Sequence, residues 1–282
     1  MSFDLFLNSE RSPLTENQFK EYFSERDHYT IDGSQAFYEN RDTGVYFYFE
    51  YDADDPNSIA FNLNYFRPHF FGIEAAPEVA DLILEFDLSI DDPQAEGMGD
   101  GPFSIEGFLR SWNAGNRFGY KAVLSSEPRP ETHVYPTQEL QRIWNWNFNR
   151  YHLQDKAGED HFVPLIMFTK GHNQARTYIV WPHTCPIYMP KADDVVVIRK
   201  KPGVDPDSNN SDEFTIVNWN DIESAVAEYP FDEKGEFYRL DYGSPPRSLM
   251  NFVESVPLVP PDREMGLAND SVLNAELVSE FE

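Results

Sequence analysis

A single cysteine, Cys185, among 282 residues excludes an intramolecular disulfide framework and any cysteine-rich zinc module. Long apolar runs are missing too. Nowhere do about 18 apolar residues follow one another, so no membrane-spanning helix is expected. The opening Met1-Ser2-Phe3-Asp4-Leu5-Phe6-Leu7 has neither the basic region nor the apolar stretch of a secretory leader, and the expectation is a cytoplasmic chain. Glycines cluster only once, at Gly97-Met98-Gly99-Asp100-Gly101. That cluster lacks the spacing of a dinucleotide or phosphate loop and carries Asp100 where a phosphate would sit, so it reads as a plain loop. Positive charge is scarce as well: 22 Lys and Arg stand against 49 Asp and Glu, for a net charge of −27.

The charge is unevenly placed. Residues 1–100 carry 5 basic against 22 acidic side chains, 101–200 carry 12 against 9, and 201–282 carry 5 against 18. Two acidic ends therefore flank a near-neutral middle. Such a field repels nucleic-acid backbones and anionic membranes, which both dock on basic surface. It attracts basic proteins and speeds their encounter. The expected partner is a basic protein, with no nucleic acid and no membrane.

Aromatic residues are plentiful, with 23 Phe, 15 Tyr and 5 Trp, enough to bury a sizeable core. Their spacing predicts an α+β fold of largely antiparallel sheets with flanking helices, in two subdomains. Alternation over 2–8, 44–51 and 59–66 predicts strands, the last two joined by the acidic turn 52–57. Thr15 and Ser104 are placed to cap helices, and 77–84 reads as a short helix with Pro77 in its first turn. The proline-bearing stretch 125–136 reads as a linker. It divides an acidic N-terminal subdomain, 1–124, from a second one over 137–256, which is followed by a Pro-rich acidic tail, 257–282. In the second half, strands are expected over 163–169, 176–181, 194–199 and 214–217, with a short helix near the C-terminus.

Known chemistries leave few traces. No Gly-x-Ser-x-Gly elbow is present. His183 and Cys185 lie two residues apart, but prolines at 182 and 186 mark an irregular segment, and the pair reads as a small thiol beside an ordinary histidine. His152, His161, His172 and His183 lack metal-site spacing, and Asp205-x-Asp207-x-Asn209 lacks the terminal glutamate of a calcium loop. No catalytic residue, metal or cofactor is assigned. On the helix starting at Thr137, an apolar stripe of Leu140, Ile143, Trp144, Phe148 and Tyr151 places Trp146 on another face with Arg150. An exposed Trp146 is a candidate contact for a partner or a sugar.

The opening Met1-Ser2-Phe3-Asp4-Leu5, the acidic balance and the aromatic strands, mainly over residues 1 to about 120, resemble bacterial immunity proteins of polymorphic toxin systems. These are cytosolic antidotes that bind and block a cognate toxin. The resemblance implies a non-enzymatic inhibitor that occludes a toxin active site, and it transfers no functional residue. An acidic surface can fill a cationic cleft in place of phosphate. Candidate anchors are Asp52, Asp54 and Asp55 in the first hairpin turn, and Asp91, Asp92 and Asp100 near the glycine loop. Two other readings stand beside it: a hydrolase with scattered acids and histidines in a cleft between the halves, and a structural adaptor.

Overall fold

The aromatic alternation of the first third folds into one antiparallel sheet. The computed structural model describes residues 1–9, 13–94, 96–99, 101–171, 174–200, 212–259 and 266–281. Among them are 14 strands and 8 α-helices, an α+β fold. Two units emerge, Met1–Gln141 with Ala268–Glu282, and Arg142–Leu267. The division falls inside a helix, and the stretch 125–136 lies within the first unit.

The first unit opens with β1 (Ser2–Ser9), α1 (Glu16–Ser24), β2 (Tyr29–Asp32), β3 (Gln35–Asn40), β4 (Val45–Tyr51) and β5 (Ser58–Asn64). It continues with α2 (Phe70–Phe86), β6 (Leu88–Asp91), α3 (Ile105–Leu124), β7 (His133–Tyr135) and the start of α4 (Thr137–Phe148), whose residues from Arg142 on belong to the second unit. Strands β2-β3-β4-β5-β1-β6 form the sheet in that order, each pair antiparallel. Because side chains alternate along a strand, one face collects Phe3, Leu5, Leu7, Phe47, Phe49, Ile59, Phe61 and Leu63, all buried. Helices cover this face. Phe23 of α1 lies 5.0 Å from Phe49, and Phe108 of α3 lies 5.1 Å from Phe3, ring centre to ring centre. Each such ring contributes about 1.5–3 kcal/mol on burial.

Local chemistry sets the helix starts. Thr15 and Gln18 make a reciprocal capping box on α1, and the Ser104 hydroxyl accepts the Gly107 N–H at 3.0 Å on α3. Pro77 does not open a helix as its position suggests. It sits inside α2, which starts at Phe70, where Phe70 and Phe71 bury themselves and anchor the extra turns. One turn earlier on α2 is Glu74, a carboxylate only 2% exposed. Its Oε1 accepts from Tyr38 Oη at 2.8 Å, Asn40 Nδ2 at 2.8 Å and Thr43 Oγ1 at 3.0 Å. A buried carboxylate is tolerated only with such partners, and here it clamps the β3–β4 turn to the helix.

The second unit contains α5 (Arg150–Ala157), β8 (Met167–Lys170), β9 (Ala175–Pro182), β10 (Ile187–Pro190), β11 (Asp194–Lys200) and β12 (Asp212–Asn218). Then follow α6 (Trp219–Val226), β13 (Phe237–Leu240) and α7 (Arg247–Ser255). Its four-stranded sheet runs β12-β11-β9-β8, with β9 and β11 parallel, and β10 pairs with β13. The strand expected over 163–169 starts only at Met167. Residues 163–166 are buried at Val163 and Ile166 without sheet partners, so side chains supply their hydrogen bonds. Asn147 donates to the Ile166 carbonyl at 2.9 Å and accepts its N–H at 3.0 Å. Trp146 Nε1 donates to the Pro164 carbonyl at 2.7 Å, and Gln154 Oε1 accepts the Val163 N–H at 3.0 Å.

The chain then returns to the first unit. After a 3₁₀ turn at Asn269–Ser271, β14 (Val272–Asn274) pairs in parallel with β7, and α8 (Ala275–Ser279) packs beside α3. Residues 268–281 are therefore part of a unit rather than a tail, and the stretch 125–136 supplies a strand to receive them. Leu273 and Val278 join Tyr120 and Leu124 in a small core. Beside it, His69 Nε2 donates to Gln141 Oε1 at 2.9 Å while Nδ1 accepts from Asn274 Nδ2 at 2.8 Å. Both ring nitrogens are satisfied only by the neutral tautomer.

Burial lowers the pKa of His69 below its ordinary 6.5, against smaller opposing contributions from Gln141, Asn274 and Glu276. Hydrogen bonds from Thr137 lower that of Glu276. In the unfolded chain His69 takes up its proton near the ordinary value, while the folded protein resists until lower pH. Stability is thus complete above about 6.5 and falls as pH drops through that window. Denaturant midpoints between pH 7.5 and 5.5 should decline for the wild type and decline less for His69→Gln. Equal declines would contradict a neutral, half-buried His69.

Candidate binding surface

Alternation leaves the second face of the six-stranded sheet to solvent. Pairing aligns Phe37, Tyr48, Asn62 and Asp4 in one row across β3, β4, β5 and β1. The next row is Gln35, Glu50, Ala60, Phe6 and Asp91, which reaches β6. Neighbours in such rows stand about 4.5–5.5 Å apart, so side chains touch along each row. Phe37 and Tyr48 pair at 5.6 Å between ring centres. Phe6 is 38% and Phe37 37% exposed, high values for phenylalanine in the middle of a strand.

Carboxylates frame these rings. Asp4 accepts from Asn62 Nδ2, and Glu50 accepts from Gln35 Nε2 at 3.1 Å. Burial, then the nearby carboxylates of Glu50 and Asp4, raise the Tyr48 phenol above its ordinary value. It stays a neutral donor through the physiological range. In the two rows no position is Lys or Arg. Toward the β4–β5 turn the second row runs into a groove of about 580 Å³, lined by Phe6, Glu50 and Ala60 together with Asp52, Asp55 and Glu16. Glu16 is neutralised by Lys20 at 2.6 Å. Among the described residues no cation pairs with Glu50, Asp52, Asp54 or Asp55.

The sequence candidates separate on this geometry. Asp52, Asp54 and Asp55 are all exposed, and Asp52 Oδ1 accepts the Asp54 N–H at 2.8 Å, which fixes the turn. Asp91 is half-exposed on the open face beside Phe6. Asp92, the next residue, faces the other way and is buried. Its two oxygens accept the Gln94 N–H at 3.0 Å and the Met98 N–H at 2.9 Å. A Cβ on Gly97 would stand 2.4 Å from that carboxyl group, so the glycine is what lets the loop close over it. Asp92 therefore organises its own loop and offers no free carboxylate. Asp100 lies outside the described residues, as do His172 and the Asp205–Asn209 segment.

Trp146 is 4% exposed, held against the Pro164 carbonyl, and so is no exposed anchor. The expected inner face of α4 is rotated. Leu140, Ile143, Trp146 and Asn147 are buried, whereas Phe148 and Tyr151 are exposed. A polar asparagine took the inward place because residues 163–166 need its amide, which hydrophobic periodicity does not register.

Other chemistry finds little support in the geometry. His183 and Thr184 occupy left-handed backbone at φ 51° and 52°, in a turn closed by the Cys185 N–H on the Pro182 carbonyl at 3.0 Å. Burial raises the Cys185 thiol, which disfavours the nucleophilic thiolate. Among the described residues no group of three His, Cys, Asp or Glu could hold a metal ion, and no helix is long and apolar enough to cross a membrane. The open face was missed in the sequence for lack of a register: only pairing reveals that Phe37, Tyr48, Glu50 and Phe6 share one surface. No known protein family, curated protein or solved structure matches the chain.

Proposed function

We propose that the chain is a non-enzymatic binding protein that takes a basic protein onto the open face of its six-stranded sheet. In line with the sequence resemblance, the partner is a toxin of a bacterial polymorphic system, blocked by occlusion of a cationic active-site cleft. The observation that carries this reading is the two-row surface itself, three partly exposed aromatic rings set among Asp4, Glu50 and Asp91 with no cation between them. Aromatic anchors ringed by polar groups supply binding energy, and charge of one sign supplies steering and selectivity. The exposed Asp52, Asp54 and Asp55 extend the acidic field beyond the sheet end.

The test is co-expression of the tagged chain with the products of neighbouring genes, followed by capture and washing at rising salt. One basic product should co-purify with the wild type and weaken as salt screens the contact. Phe37→Ala/Tyr48→Ala should lower its affinity about 100-fold, in the range of hot-spot losses. Undiminished capture by that folded variant, or no retained basic product among the neighbours expressed, would overturn the proposal.

A further inference from the structure

One groove reverses the sign of the surface. It lies in the second unit, encloses about 400 Å³ and is lined along α4 and α5 and by the loop before β13. Its charged lining is Arg142, Lys156 and Lys234 against one carboxylate, Glu236, and His152 also lines it. Two grooves of the first unit show the opposite balance. One holds Glu16, Glu50, Asp52 and Asp55, and the other holds Glu21, Glu25 and Glu85 around Arg26. On a chain of net charge −27, three permanent cations gathered in one concavity are a departure from the composition.

The cations are presented by fixed backbone. Arg142 is steadied by donation from Nη2 to the Lys191 carbonyl at 3.1 Å. Lys234 sits in a tight turn organised by Asp232. That carboxylate accepts the Lys234 N–H at 3.0 Å, the Phe237 N–H at 3.0 Å and the Glu236 N–H, so its charge is engaged by backbone donors. Lys156 stands in the last turn of α5, about one turn beyond His152 on the same side. The lining is part apolar, from Leu153 and the largely buried Trp146, and it includes Asn145 and Asn149.

We infer that this groove is a binding site for a small phosphate-bearing molecule, its anionic groups held by Arg142, Lys156 and Lys234 and its apolar part resting on Leu153 and Trp146. Cations on a firm frame suit an oxyanion, because charge-assisted hydrogen bonds to phosphate oxygens are the strong ones. The volume takes a mononucleotide and falls within the usual span of small-molecule sites. This site is independent of the sheet face and of the partner proposed for it.

Titration calorimetry with inorganic phosphate, pyrophosphate and AMP in about 0.15 M KCl tests the assignment, since that salt screens diffuse attraction beyond about 8 Å. Pyrophosphate or AMP should bind at one site with a Kd below about 1 mM. Tighter binding of AMP than of pyrophosphate would identify a nucleotide-like ligand, and the reverse order a free phosphate chain. Lys156→Glu/Lys234→Glu should weaken the preferred ligand at least tenfold. Arg110→Glu/Lys121→Glu on α3 changes the net charge by the same amount and should leave it unaltered. No heat from any of the three ligands, equal binding by the groove variant, or equal loss in the α3 variant would overturn the inference.

Discussion

Glu74→Ala should lower stability by about 3–5 kcal/mol, since each donor left without a partner in a buried site costs about 1–3 kcal/mol. Two donors are stranded at once, the Tyr38 hydroxyl and the Asn40 amide, and the Thr43 hydroxyl keeps only its longer bond to the Asn40 carbonyl at 3.4 Å. None can turn to water, because Tyr38, Asn40 and Thr43 are all buried. The cavity left by the missing carboxyl group adds to the loss. Glu74→Gln keeps one carbonyl oxygen for the shared acceptor role and should recover a good part of it. Urea denaturation followed by circular dichroism measures both, and a loss below about 1 kcal/mol for the alanine variant would remove the clamp from the account. The effect should localise, with β3, β4 and α2 losing amide protection first, since Glu74 joins those elements.

Asn147→Leu is the second large effect, expected at about 2–5 kcal/mol. The replacement has similar size and is apolar, so sequence periodicity alone would rate it harmless inside a helix of buried residues. It removes both partners of Ile166, leaving a buried N–H and a buried carbonyl unmatched. Phe148→Ser, at the exposed neighbouring position, should change stability by no more than about 1 kcal/mol. The apolar stripe read from the sequence predicts the reverse order, a costly Phe148 and a tolerant Asn147. The two variants measured side by side therefore separate the helix orientation in the structure from the orientation that periodicity suggests.

Legibility followed the range of the interactions. The caps at Thr15 and Ser104, the strands at 44–51 and 59–66 and the acidic turn between them rest on contacts a few residues apart, and the sequence displays them directly. What depends on distant partners was hidden. Residues 133–135 look like linker until Val272–Asn274 pairs with them, and residues 272–279 look like a fraying tail until Tyr120 and Leu124 receive them. Asn147 and Trp146 face inward because residues 163–166 lack a strand partner, a need that no local pattern announces. Likewise Asp91 and Asp92 look alike in sequence. One residue of register sends the first to the open face and the second into the loop that Gly97 closes.

The same rule applies to the proposed binding surface. The acids of the 52–55 turn stand out as a charge run, whereas Phe6, Phe37 and Tyr48 are separated by up to 42 residues and meet only through pairing. Their neighbours were legible as aromatic strands, but an alternating strand does not state which face a helix will cover. The uncovered one emerges once Phe23 and Phe108 are seen to pack on the other side.

Hydroxyl-radical footprinting of the chain alone and with the basic product that the proposal expects it to capture tests the central claim most directly, because aromatic rings report their own exposure. Phe6, Phe37 and Tyr48 should lose most of their oxidation in the complex, while Phe148 and Tyr151 on the second unit keep theirs. Unchanged oxidation at Phe6, Phe37 and Tyr48, with protection appearing elsewhere, would contradict the open sheet face as the docking surface.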